Sequence, residues 1–144
     1  KLYQRGARHF FVPQMPDLSI TPSAHDHNKT LSNYLENAKA RSAEFATLLD
    51  ATLAAFAKQY PQATVRTFAT YTYSQERMAQ AAAEGNNVTE ACYTPNFPGV
   101  AGPVCANPDK YLFWDANHPT AAGSIVIGTD FAKAVVSNAA LPSR

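Results

Sequence analysis

Two short apolar runs separated by a long helical stretch constrain this chain more than any other feature. His9-Phe10-Phe11-Val12 reads as a buried strand, and Thr64-Val65-Arg66-Thr67-Phe68-Ala69 reads as a second. Between them Leu31, Leu35, Ala38, Phe45, Leu49, Leu53, Phe56 and Tyr60 recur at spacings of three, four or seven. That spacing lines one face of a long amphipathic helix, which Pro61 ends. Thr30 or Asn28 is the expected N-cap. A strand, a long helix and a second strand make a crossover unit, so the two strands are expected to run parallel.

The rest of the chain adds helices but no further visible strand. Leu2–Arg5 reads as the tail of a helix stopped by Gly6. Pro13, Pro16 and Pro22 argue against regular structure until about Thr30. Ser74 is expected to cap a short helix from Gln75 to Glu84, with Gly85 as its stop. Asn86 to Lys110 reads as loop. A last helix runs from Ala121 to Ser137, packed through Ile125, Val126, Phe131 and Val135. A parallel sheet of two strands cannot cover its own faces. The sequence therefore implies further strands in another part of the polypeptide.

Composition removes several classes of function. The length of 144 residues suits one domain, and 46% apolar residues suffice for a core. The net charge is +1, with no basic stripe, so nucleic-acid binding has no support. No apolar run is long enough to span a membrane. Lys1-Leu2-Tyr3-Gln4 lacks the pattern of a signal peptide, and so abrupt a start is what processing or cleavage would leave. Cys92 and Cys105 flank a segment rich in Pro and Gly. A disulfide there would restrict the unfolded chain by about 3 kcal/mol and would imply a secreted, periplasmic or cell-surface location. The alternative is two buried thiols. Asn28-Lys29-Thr30 and Asn87-Val88-Thr89 are formal glycosylation sequons.

The chemistry concentrates in Phe113-Trp114-Asp115-Ala116-Asn117-His118-Pro119-Thr120. An aspartate three residues before a histidine can turn back and accept its Nδ1–H bond. This fixes the tautomer and leaves Nε2 to take a proton from a serine hydroxyl. Pro119 holds His118 out of the following helix, which Thr120 can cap. In isolation Asp-x-x-His is more often a surface pair or a capping turn. His25-Asp26-His27 lacks a third and fourth ligand, so no metal site is expected. Asp17 and Arg8 read as structural.

The extended string Tyr111-Leu112-Phe113-Trp114-Asp115-Ala116-Asn117-His118-Pro119-Thr120-Ala121-Ala122 resembles the last conserved block of the GDSL, or SGNH, serine esterases and lipases. Gly6-Ala7-Arg8-His9-Phe10-Phe11-Val12, with Met15-Pro16-Asp17-Leu18 and Thr21-Pro22, is similar to the family's strand-and-loop segment midway along the fold. A Cys-bounded loop before the Asp-x-x-His block resembles the branch of bacterial lipases, phospholipases and acyltransferases. The resemblance runs from Leu2 to Val136.

It implies a three-layer α/β/α sandwich on a flavodoxin-like parallel sheet. Residues 1–144 would form its C-terminal portion. Asp115 and His118 would be the catalytic acid and base, with no cofactor. The family's serine lies in Gly-Asp-Ser, which this chain lacks, as it lacks Gly-x-Asn-Asp. Ser19, Ser23, Ser32, Ser42, Ser74, Ser124, Ser137 and Ser143 stand in the wrong context. The chain is thus expected to act only with an N-terminal fragment of the same protein that carries the serine. Tyr71, Tyr73, Tyr93, Phe97 and Trp114 are candidate substrate-pocket residues, with ordinary packing as the alternative. Lipid esters are the expected substrates, with transient membrane-surface contact. The rival readings are a carbohydrate acetylesterase of the same family and a non-catalytic module that kept the fold.

Overall fold

The computed structural model describes residues 1–95 and 100–137. Strand β1 covers His9–Pro13 and β2 covers Thr64–Phe68. They pair in parallel, His9 with Thr64 through Pro13 with Phe68, as the crossover requires. The connecting helix, α2 (Tyr34–Gln59), starts later than Leu31. Asn33 precedes it at φ 63, in the left-handed region, and offers no side-chain cap. Neither Thr30 nor Asn28 is therefore the N-cap. Asn28 still serves the helix from a distance, its Oδ1 accepting the Leu35 N–H at 3.2 Å. Phe56 packs α2 on β1 through the ring of Phe10, with centroids 5.3 Å apart. Ahead of β1, Leu2–Arg5 forms only a single 3-10 turn (Tyr3–Arg5), and Gly6 stops it at φ 100.

The proline-rich stretch is more regular than its composition suggests. A 3-10 turn at Leu18–Ile20 leads into α1 (Pro22–Asn28). Pro22 starts the helix rather than preventing it. Its missing N–H falls where no helical acceptor exists, and the Thr21 side chain accepts from Ala24 N. Helix α3 (Thr70–Ala83) likewise begins earlier than Gln75. Ser74 lies inside it rather than capping it. Its hydroxyl donates to Tyr71 O and accepts from Asp17 N, tying the proline loop to the helix. Gly85 does take the left-handed conformation after α3, at φ 78.

The expected loop from Asn86 to Lys110 opens with a strand. β3 (Asn87–Ala91) pairs in parallel with β4 (Tyr111–Phe113), with a register irregularity between the two ends. The described residues thus hold two two-stranded parallel sheets, twice the strands the sequence revealed. The final helix, α4, covers Ala121–Val136. The described residues form a mixed α/β structure with parallel strands.

The core is thin. Among the described residues only Ala24, Ala46, Val65, Ala81, Cys92 and Phe113 are buried apolar side chains. Leu31, Phe45 and Leu48 of the α2 region and Ile125, Val135 and Val136 of α4 remain exposed. No described helix is long and apolar enough to cross a membrane.

Candidate active site

The site is a tight turn between β4 and α4. Phe113 is buried at the end of β4 and bridges to Pro119 across the turn. Trp114 N donates to His118 O at 2.8 Å and closes the loop. Thr120 anchors the exit. It is 2% exposed, its hydroxyl donates to Tyr111 O, and its oxygen accepts Gly123 N at the start of α4. The proline and the cap together keep His118 outside the helix.

Within this turn Asp115 folds back on its own neighbours. Its Oδ1 accepts the backbone N–H of Asn117 at 2.8 Å and of His118 at 2.7 Å. The His118 ring brings Nδ1 to 2.9 Å from Oδ2 and 3.0 Å from Oδ1. A carboxylate can only accept, so Nδ1 carries the proton and Nε2 is left as the basic nitrogen. Partial burial pushes the Asp115 carboxyl up. The two backbone N–H bonds and the imidazole outweigh it and hold the group below its usual range. The Asp115 side chain is 30% exposed and that of His118 is 76% exposed. The acid is thus held within the turn and the ring stands open to whatever approaches.

Two neighbouring segments hold the turn. Ala116 O accepts Ser23 N from the first turn of α1, at 2.9 Å. On the other side Cys92 N donates to Phe113 O and Tyr93 N to Trp114 O. A Cys92–Cys105 disulfide fixes this second segment, and Cys105 N donates back to Cys92 O. Tyr93 and Trp114 stack at 5.4 Å with their planes 17° apart, immediately before the acid.

The other sequence candidates divide. Tyr73 reaches a cavity that Asn117 and Pro119 also line, but its hydroxyl donates to Asp130 at 2.9 Å. Burial, with the bond to Asp130, pushes that phenol up to about 12. Tyr71 sits two residues away on α3, which turns it to a different face, and it does not line that cavity. Phe97 and Ser143 lie outside the described residues. Among the described residues no serine hydroxyl bonds the His118 ring. Ser19 donates to Asp17, Ser42 to Ala38 O and Ser74 to Tyr71 O. Arg8 lies over the Tyr3 ring, and Asp17 is 1% exposed and bonded to Ser19 and Gln75, both in structural roles. His27 stacks on Tyr34 and donates to Ser23 O through Nδ1.

The role of Ser23 escaped the sequence reading. Its backbone supports the turn, and the Thr21-Pro22 pair was the available signal that a helix begins there. No curated protein shows a significant match to this chain. The family model described as GDSL-like Lipase/Acylhydrolase matches residues 1–131, most of the chain. With that match beside the Asp–His turn, the chain belongs to the GDSL-like lipase/acylhydrolase family.

Proposed function

We propose that this chain supplies the acid and base of a serine ester hydrolase of the lipase and phospholipase type. Asp115 orients His118 and stabilises the imidazolium. His118 Nε2 takes the proton of a serine hydroxyl as that oxygen attacks the ester carbonyl. It then returns the proton to the leaving alcohol, and water releases the acyl group by the same route. The carrying observation is the bond from His118 Nδ1 to a doubly anchored Asp115, on a ring open to an incoming group.

The serine and the oxyanion donors come, on this reading, from an N-terminal segment of the same protein, bearing Gly-Asp-Ser. Exposed apolar side chains support a covering partner: Leu31, Phe45 and Leu48 in the α2 region and Ile125, Val135 and Val136 on α4 stay open to solvent. The segment would complete the sheet into a three-layer sandwich. The Cys92–Cys105 disulfide supports a secreted, periplasmic or cell-surface setting.

The test is to assemble the chain with that segment and measure hydrolysis of a 4-nitrophenyl ester. His118→Ala should lower turnover by a factor on the order of 10⁴ or more. Unchanged turnover in that variant removes the assignment. A single chain that is stable, homogeneous and without esterase activity under every assembly condition favours a non-catalytic module.

A further inference from the structure

The sequon Asn28-Lys29-Thr30 takes no part in the hydrolase chemistry. Asn28 ends α1, and Lys29 and Thr30 begin the bend towards α2. Thr30 N donates to His27 O at 3.1 Å, and Lys29 pairs with Asp26 at 2.7 Å. Lys29 and Thr30 are exposed, and Asn28 is partly buried.

The Asn28 amide is held in one orientation. The Leu35 N–H is a donor, so the atom facing it at 3.2 Å is Oδ1, and Nδ2 is the other end of the amide. Nδ2 has no protein partner among the described residues. Among those residues no buried side-chain nitrogen or oxygen lacks a partner, so the unpaired Nδ2 faces solvent. A sugar on Nδ2 replaces one of two free N–H bonds and leaves the Leu35 bond in place. Ser23, which braces the catalytic turn, lies five residues earlier, about 7.5 Å back along α1.

The second sequon, Asn87-Val88-Thr89, is built differently. Asn87 begins β3 and pairs with Tyr111. Its Oδ1 accepts the N–H groups of Thr89 at 3.1 Å and Glu90 at 3.0 Å, and its Nδ2 donates to the Glu90 carboxylate at 2.7 Å. Both ends of that amide are engaged, so a sugar there competes with a charge-assisted bond. The Cys92–Cys105 disulfide is the independent observation. It belongs to an oxidising secretory route, the route on which eukaryotic cells attach sugars to such sequons.

We propose that Asn28 carries an N-linked glycan, in preference to Asn87. The donor is an oligosaccharide on a polyprenyl diphosphate. A bond forms between Asn28 Nδ2 and C1 of the first sugar as the bond from C1 to the phosphate oxygen breaks. The diphosphate leaves with the electron pair, and Nδ2 gives up one proton. The proposal stands apart from the hydrolase reading. It adds one constraint to it, since a bulky glycan obliges the covering N-terminal segment to leave Nδ2 open.

The test collects the protein, with its N-terminal segment, from the medium of a eukaryotic secreting cell. Peptide N-glycosidase in heavy-oxygen water turns each glycosylated Asn into labelled Asp, which peptide mass mapping locates. Label at Asn28 in most molecules is expected, with far less at Asn87. Thr30→Ala removes the sequon, keeps the Asn28–Leu35 bond and should abolish the label, and Thr30→Val serves should the first variant not be secreted. An unlabelled Asn28 in the secreted protein overturns the proposal. So does an occupancy of Asn87 equal to or above that of Asn28. Label that survives the Thr30 variants is chemical deamidation and overturns it as well. All three results leave the hydrolase reading standing.

Discussion

Breaking the Cys92–Cys105 disulfide should cost stability and loosen the dyad together. The two cysteines are 13 residues apart. Cross-linking a loop of that size removes about 3 kcal/mol of unfolded-state entropy at 25 °C. For a 144-residue chain that is a fall in melting temperature of about 10 °C. The loss is not confined to the loop. The disulfide fixes Cys92, and the N–H groups of Cys92 and Tyr93 hold the carbonyls of Phe113 and Trp114. Trp114 N in turn holds His118 O. Freed from its clip, the segment no longer fixes that register, and the Asp115–His118 bond should broaden or weaken with it. The assay compares thermal melts of the native protein, the protein under reductant with two thiols confirmed by titration, and Cys92→Ala/Cys105→Ala. The His118 ring ¹⁵N signals, which report the tautomer, are followed in parallel. A melting temperature that stays within about 1 °C after verified reduction refutes the entropy argument. Unchanged ring signals refute the link to the dyad.

Two further outcomes follow from the turn itself. The Asp115 carboxyl is held below its ordinary 3.8, so its stabilising contribution is present above that value and disappears as pH falls through the lower folded value. The urea-unfolding penalty of Asp115→Asn should therefore be full at neutral pH and shrink towards about pH 2; a penalty constant over that range contradicts the assignment. Thr120→Ala loses the cap on Gly123 N and strands Tyr111 O, which should cost about 1–3 kcal/mol. Thr120→Ser keeps both bonds and should recover most of it, so equal urea midpoints for the Ala and Ser variants would count against the cap.

Local chemistry made much of this protein readable. The Asp115–His118 bond closes over three residues, so its partners are named by the chain itself. Pro119 and Thr120 act on their immediate neighbours, as do Gly6 and Gly85 at their stops. The spacing of apolar residues in α2 is equally local, and the parallel pairing of β1 with β2 follows from the length of the crossover.

Where the reading failed, a distant partner decided the outcome. β3 is a strand because Tyr111–Phe113 lies beside it, and nothing within Asn87–Ala91 names that partner. Ser74 carries a capping residue's chemistry, yet its hydroxyl is satisfied by Tyr71 O and Asp17 N, the latter 57 residues away. Pro22 has a breaker's chemistry within a helix, but Thr21 before it as N-cap makes it a start.

The sequence by itself named the Asp115–His118 pairing and the strand–helix–strand crossover, because contacts over a few residues and the length of a connection fix them. It left Cys92 and Cys105 open between a disulfide and two thiols, and the fold closes that bond. Tertiary structure alone decided that Ser23 braces the turn, that Tyr93 stacks on Trp114, and that Asn117 and Pro119, on either side of His118, line a cavity with Tyr73 of α3. These contacts join segments far apart in the chain, and only the folding of the backbone brings them within reach.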